Sequence, residues 1–492
     1  MASARCALVA PGGTRTFAEL DERSARLAAV LRGLGAGPGE RVALMLPNSC
    51  EWFETNAAIA RTGAQLVPVN WHLRGDEVAW ILSDSDARIL VTHVDLAAEA
   101  DAALTAVPGC RAVRVGGDYE ELLAAASPDP AGRAPSHAPA VVLYTSGTTG
   151  RPKGVVHEQA TTARSRRTHV DLWGFTPDDV HLIAGPAYHG APWSYAITHL
   201  ALGATVVVIQ RWDAREFLRL VEAHGVTNTF LVPTHFARLL ELPEADRERF
   251  DRSSLRLVLH GAAACPVPVK QRILDFFAPA EVWEFYGFSE AGRVSRIGPD
   301  EWRAHPGSAG RPFEGVHVLI LDDDGHELAP GETGWIHVVP AAGDRFHYRN
   351  NPDATSAVTA DTRFGPAVTG GDLGHLDADG YLYVTDRSAE LVVRGGVNIY
   401  PREAEDALHM HPAVVDCAAF GVPDDVYGER LVALVELAPG STTPAEELVE
   451  HVRARLASYK CPEEVRIVAA LPRDPNGKVR KALLREQARS AG

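Results

Sequence analysis

The sequence predicts an α/β protein. A large N-terminal domain of mixed α/β sheets carries a β-rich subregion, and a small α+β C-terminal domain follows it. Three observations predict this. Apolar strand patterns alternate with helical periodicity through the first part of the chain. After about residue 310, short strands joined by Asp/Gly turns replace that alternation. From about residue 390, a compact α+β pattern runs for roughly a hundred residues, a usual domain size.

The elements follow in order. Phe17, Leu20, Leu27, Leu31 and Leu34 fall at helical spacing, and Gly35, Gly37 and Gly39 end that helix. A buried strand at 42–46, a helix at 52–59 and a strand at 65–69 come next. Strand patterns recur at 88–92, 180–183, 205–209, 229–232 and 255–259. Strands alternating with helices imply βαβ units and a largely parallel sheet. Residues 127–139 are rich in Pro, Ala and Gly and read as a surface connection. Strands at 316–321, 334–339 and 380–385 are separated by tight turns, among them Asp322-Asp323-Asp324-Gly325 and Asp377-Ala378-Asp379-Gly380. The last unit has a helix after Pro401, strands near 414–420 and 431–437, a helix at 445–456 and a strand at 465–468.

The chain has 492 residues, which at about 100–200 residues per domain gives two to four domains. Hydrophobic residues make up 46% and charged residues 23%, which excludes a disordered chain, a collagen and a coiled coil. Lys+Arg 48 against Asp+Glu 64 leaves a net charge of −16. Bulk charge of that sign does not serve nucleic acid or an anionic membrane. Six cysteines show no CxxC spacing and read as free thiols of a reducing compartment. The N-terminus has no long apolar run of a signal peptide. No stretch approaches the roughly 18 apolar residues of a membrane span. A soluble cytoplasmic protein is expected. Only five lysines occur (Lys153, Lys270, Lys460, Lys478 and Lys481), the rest of the 48 basic residues being arginines. A lysine kept in such a background offers a compact, orientable ammonium that a guanidinium does not replace.

One of those lysines closes Tyr144-Thr145-Ser146-Gly147-Thr148-Thr149-Gly150-Arg151-Pro152-Lys153-Gly154, after an apolar strand at 140–143. Glycines let backbone amides turn toward an anion, and the hydroxyls and the ammonium add donors, a chemistry suited to a polyphosphate. It is not a Walker loop, because GxxxxGK[ST] is absent. The segment resembles the phosphate loop of the adenylate-forming superfamily: acyl-CoA synthetases, adenylation domains of peptide synthetases and firefly-type luciferases.

Further segments resemble that superfamily in the same order along the chain. Tyr286-Gly287-Phe288-Ser289-Glu290 is similar to its YGxTE motif, with serine in place of threonine. The resemblance implies that Tyr286 stacks on adenine and that Glu290, with Thr145, holds Mg²⁺, a hard cation that takes oxygen ligands. Thr369-Gly370-Gly371-Asp372 resembles the TGD motif with one extra glycine, which implies Asp372 on the ribose hydroxyls and Arg387 as a second ribose contact. His260-Gly261-Ala262-Ala263 resembles the loop whose backbone faces adenine and substrate. Tyr188-His189 resembles the segment lining the acyl pocket, which makes His189 a candidate catalytic residue, although it reads equally well as a core histidine. Arg394-Gly395-Gly396-Val397-Asn398-Ile399-Tyr400-Pro401 resembles the loop beside the pantetheine tunnel of CoA ligases. It also fits a plain loop before a helix with Pro401 in its first turn. Pro472 to Lys478 resembles the C-terminal PxxxxGK motif, with Asn476 where Ser or Thr is common, which implies that the Lys478 ammonium stabilises charge during adenylation.

The resemblance implies an enzyme that binds ATP, Mg²⁺ and a small-molecule acid. It releases pyrophosphate and passes the acyl-adenylate to an acceptor, most often CoA. By the same resemblance, residues 1–386 would form the AMP-binding domain, 387–389 a hinge and 390–492 a rotating lid. Alanine stands at 389, where Asp or Lys is usual at the hinge. Tyr188, His189 and Trp193 point to an aromatic or medium-size apolar acid, and the resemblance to fatty-acyl and aryl-CoA ligases implies an aryl or medium- to long-chain acid. Arg164, Arg166 and Arg167 read either as a CoA phosphate contact or as a solvated helix face. Three other readings stay open here. One is a diazotase that activates nitrite for attack by an aryl amine, which Ala389 allows. Another is a non-catalytic nucleotide sensor. The last is a serine hydrolase, since Gly287-Phe288-Ser289-Glu290-Ala291 departs from the GxSxG elbow only at its last position.

Overall fold

The computed structural model describes residues 4–128, 140–145, 152–157, 169–341, 345–387, 390–394, 397–424, 428–474 and 477–490. The chain packs as two compact units. One comprises Met1–Phe230, Asp251–Arg256 and Ala342–Ala357, and the other Leu231–Phe250, Leu257–Ala341 and Val358–Gly492.

In the first unit the alternating pattern forms two sheets. One is a four-stranded parallel sheet in the order Gln65–Pro68, Arg41–Met45, Ile89–His93, Arg111–Val115. In the other, Cys6–Ala10 and Gly13–Thr16 form a hairpin, and Cys6–Ala10, Thr205–Val208, Val180–Ile183 and Asn228–Leu231 run parallel. Helix Phe17–Gly33 starts where Thr16 and Glu19 form a reciprocal capping box. Helix Cys50–Thr62 starts at Ser49 and stops at Gly63, whose φ of 78° is left-handed. Their apolar faces bury Leu27, Leu31, Trp52 and Phe53 against the strands. Neighbouring segments 142–145, 153–157 and 346–348 form a small antiparallel sheet.

The second unit holds three sheet segments. Leu257–His260 pairs parallel with Glu281–Phe288, which turns back antiparallel onto Gly292–Ile297. A β-rich segment orders Thr359–Thr362, Gly365–Val368, Gly334–Val339, Asp372–Leu376 and Leu382–Arg387, with His317–Leu321 added to Gly334–Val339. The C-terminal sheet pairs Val414–Asp424 with Gly428–Leu437 and adds Glu464–Val468 in parallel. Helices Pro401–His409 and Ala445–Arg453 bury Leu408, Leu448 and Val452 on one of its faces. The other face buries Phe420, Val432, Leu471 and Leu484.

The largely parallel expectation holds for the first unit, and antiparallel hairpins dominate the second. All six cysteines are free. Among the described residues, no helix is long and apolar enough to cross a membrane.

Candidate active site

A cavity of about 330 Å³ opens within the second unit, and Ala262, Ala263, Tyr286, Gly287, Asp372 and Lys478 line it. Tyr286 lies on strand Glu281–Phe288, and its Oη donates to Asp372 Oδ2 at 2.6 Å. Asp372 is only 4% exposed, so this bond fixes the carboxylate's orientation at the cavity wall. Asp372 opens its strand directly after Gly371, whose φ of 80° suits a residue without Cβ. In the antiparallel pairing that follows, Asp372 lies opposite Arg387. The expected adenine and ribose positions thus share one wall.

The loop after strand Leu257–His260 forms the adjoining wall. A Cβ on Gly261 would sit 2.5 Å from the backbone oxygen of Phe285, so only glycine allows this approach. Ala262 takes φ 68° and is exposed. An L-residue in the left-handed region stores of the order of 1–3 kcal/mol, a cost found most often at ligand sites.

Beneath that loop lies a cluster that sequence reasoning missed. Lys270, on helix Val267–Phe277, is 0% exposed. Its Nζ contacts His260 Nε2 and lies 3.3 Å from Glu284 Oε2. Glu284 lines the cavity two residues before Tyr286. Burial pulls the Lys270 ammonium below its ordinary range and lifts the Glu284 carboxyl, while their attraction opposes both shifts. Burial also keeps His260 neutral, with the Lys270 charge acting in the same direction. The available signal was the scarcity of lysine. Helical spacing alone gave no reason to bury this one.

Lys478 ends a tight loop. Its N–H donates to Asp474 Oδ1 at 2.9 Å, and its carbonyl accepts from Asp474 N at 2.8 Å. Gly477 takes φ 80° between them. Three residues on, Lys481 Nζ lies 2.7 Å from Glu390 and 2.8 Å from Glu405. Burial opposes its charge, but the two carboxylates and Asp386 hold its ammonium well above the ordinary range.

Other expected residues belong to the first unit. Thr145 and Lys153 are opposed in an antiparallel stem, with Lys153 Nζ 5.1 Å from the ring centre of Tyr348. Tyr144 Oη donates to Asp84 at 2.6 Å and Trp80 Nε1 to the Pro152 carbonyl at 3.1 Å, anchoring both strands. His189 precedes helix Gly190–Leu202, its ring 4.4 Å from that of Tyr188. Asn48 fixes this segment through Gly185 O and Ala187 N at 2.9 and 2.7 Å. Trp193 is core: it is 7% exposed and its indole donates to Asn56 at 2.9 Å. It therefore gives no support to an aromatic acid pocket. Ser146, Gly147, Thr148, Thr149, Arg164, Arg166, Arg167, Ala389, Gly395, Gly396 and the Arg387 side chain lie outside the described residues.

The serine-hydrolase reading is overturned. A nucleophile elbow puts its serine between a strand and a helix. Ser289 and Glu290 sit instead in the turn between strands Glu281–Phe288 and Gly292–Ile297. The motif strand also runs to Phe288, beyond the expected 282–285.

The family model for the AMP-binding enzyme matches residues 2–340, and that for the AMP-binding enzyme C-terminal domain matches residues 403–478. The chain belongs to the AMP-binding enzyme family. This AMP-binding enzyme is 36% identical over 482 residues to a feruloyl-CoA synthase of Amycolatopsis sp, covering 97% of this chain and 94% of that one. It is 31% identical to the fatty acid–[acyl-carrier-protein] ligase ScoC of Streptomyces coeruleorubidus, covering 98% and 93%. The crystal structure of ATP-bound MatB from Rhodopseudomonas palustris superposes with a TM-score of 0.85 at 30% identity, covering 99% and 96%. Family membership makes this AMP-binding enzyme an ATP-dependent, AMP-forming ligase built on the adenylate-forming fold.

Proposed function

We propose that the enzyme activates an aryl or medium-to-long-chain carboxylic acid with ATP and transfers the acyl group to the thiol of CoA. The observation that carries the adenylation is the Tyr286–Asp372 bond in the wall of a cavity that Lys478 also lines, and the likeness to a feruloyl-CoA synthase supports the acid class and CoA as acceptor. A ring, an oriented carboxylate and an ammonium are the groups that a purine, a ribose diol and an α-phosphate each require.

In the proposed first step the acid's carboxylate oxygen attacks the α-phosphorus. The bond to the bridging oxygen breaks, and pyrophosphate leaves with its electron pair. Lys478 stabilises the charge that develops on the α-phosphate, and Asp372 with Arg387 holds the ribose. The Tyr286 ring and the 261–263 backbone sandwich the base. In the second step the CoA thiol loses its proton to solvent, its sulfur attacks the acyl carbon, and the bond from that carbon to the phosphate oxygen breaks as AMP leaves with the electron pair. Ser146 to Thr149 and Lys153 would meet the β- and γ-phosphates. By the resemblance, Glu290 and Thr145 would each offer an oxygen donor of the kind Mg²⁺ takes, and the ion would neutralise phosphate charge. The two family-matched segments lie on either side of 387–389, in support of a hinge there with 390–492 as the lid. Rotation about it would exchange Lys478 for the Gly395–Gly396 loop.

The test is AMP release from Mg·ATP with fatty acids, cinnamates, benzoates, amino acids, and nitrite plus an aryl amine, each with and without CoA. AMP with a carboxylic acid, and acyl-CoA only when CoA is added, is the expected result. AMP with nitrite and amine alone would replace CoA as acceptor, and no AMP under any condition would favour the nucleotide-sensor reading.

A further inference from the structure

Helix Pro233–Glu241 carries two side chains on one face that meet the Lys478 loop at both of its ends. At the entry, Glu436 is 5% exposed and its Oε1 accepts from the Leu471 backbone N–H at 2.6 Å. Its Oε2 accepts from Arg238 at 3.3 Å. Arg238 is itself braced by Glu241 at 2.9 Å. A single carboxylate thus ties the start of the lysine loop to this helix. At the exit, Gly477 packs against Thr234, one helical turn before Arg238. A Cβ at Gly477 would fall 2.2 Å from Thr234 Oγ1. Residues four apart share a helix face, so both anchors belong to one surface. Within the loop, Arg473 is ion-paired with Asp416 and donates to the Gly477 carbonyl. The loop therefore has its own brace and takes its register from the helix.

We propose that Arg238 and Thr234 are positioning residues for adenylation, setting the lysine loop at the height where Lys478 reaches the cavity. The proposal rests on the reading of Lys478 as the adenylating lysine. A misplacement of about 1 Å at a catalytic group is enough to cost two orders of magnitude in rate. Thioester formation, which in the rotated lid does not use this register, is independent of the anchors.

The test separates the half-reactions. ATP–pyrophosphate exchange is measured with whichever carboxylic acid gives most AMP in the panel above, and transfer is measured with the synthetic adenylate of that acid and CoA. Arg238→Ala lowers exchange kcat by roughly tenfold, the scale of one charge-assisted hydrogen bond, and leaves the transfer rate alone. Arg238→Lys restores most of the loss. Thr234 also lines the cavity, so Thr234→Leu is read as a ratio: crowding Gly477 lowers exchange more than transfer. Hydrogen exchange at the Leu471 amide is an acid-independent readout and speeds up in Arg238→Ala. Equal losses in both half-reactions, or unchanged Leu471 protection, would overturn the proposal. Lys478→Ala separates it from the functional reading. If that variant exchanges normally, the role of Lys478 fails; if it is inactive while Arg238→Ala and Thr234→Leu exchange normally, only the anchors fail.

Discussion

Replacing Lys270 by Met removes a charge and keeps the aliphatic stem. The Lys270 side chain is 0% exposed, with Glu284 Oε2 at 3.3 Å and the Trp302 ring centre at 5.8 Å. Breaking a buried ion pair from one side costs about 3–5 kcal/mol, because the remaining charge stays desolvated. For a cooperative unit of about 150–250 residues, with about 2–4 °C per kcal/mol, Tm should fall by roughly 6–20 °C. Without Lys270, burial lifts the Glu284 carboxyl further, so it binds a proton more readily folded than unfolded. A folded pKa above the unfolded one stabilises at low pH and loses that stability as pH rises. The Tm gap between variant and parent should therefore narrow as pH falls from 8 to 6. Adding Glu284→Gln removes the stranded charge and should recover most of the loss. The assay is thermal unfolding followed by circular dichroism. A Lys270→Met protein as stable as its parent at pH 8, or a double variant no better than the single, would refute the reasoning.

Three further outcomes are expected. Asp372→Ala removes a carboxylate from the cavity wall and should lower kcat/KM for ATP by about 10- to 150-fold, the range for a hydrogen bond to a charged group of about 1.5–3 kcal/mol; Tyr286→Phe keeps the ring and should cost less, and equal effects would argue against a ribose role for Asp372. Ala262→Gly relieves a φ of 68° and should raise unfolding free energy by about 1 kcal/mol in urea, whereas Gly261→Ala should destabilise; a loss in the first variant would show that the loop is unstrained. Buried neutral His181 and His409 have pKa values lowered by burial to about 4 and His235 to about 3, so the unfolded chain takes up protons first as pH drops below about 6.5. Each adds a slope of up to about 1.4 kcal/mol per pH unit until its folded pKa is reached, and an unchanged Tm between pH 7.5 and 5 would contradict their burial.

Local signals made much of the first unit legible. Helix Phe17–Gly33 follows from its leucine spacing, and the parallel strands from apolar runs between helices. The turn at 377–380 was legible because Asp377 Oδ1 accepts from the backbone of Asp379 and Tyr381 at 3.0 and 2.8 Å, as short turn sequences do. The site was legible only through motifs. That Asp372 faces Arg387 and bonds to Tyr286 depends on strand register, which no local pattern encodes. Lys270 was illegible for the same reason: its burial depends on Glu284 and His260, supplied by two other strands. Trp193 shows the opposite failure, an aromatic near a motif that the core had already claimed.

The placement of the scarce lysines bears on self-inflicted damage. An acyl-adenylate is a mixed anhydride that acylates neutral amines, and an arginine stays protonated at any working pH. Lys481 is clasped by Glu390 and Glu405 and held as ammonium at the cavity's edge, and Lys270 is sealed against Glu284. Lys460 is paired with Glu403, which holds its proton too. Lys478, which lines the cavity, and Lys153 apart, a chain built this way offers its own reactive intermediate few nucleophiles. It should emerge from prolonged turnover with little acyl-lysine by peptide mass mapping, even where a lysine-rich bystander protein in the same tube is heavily modified.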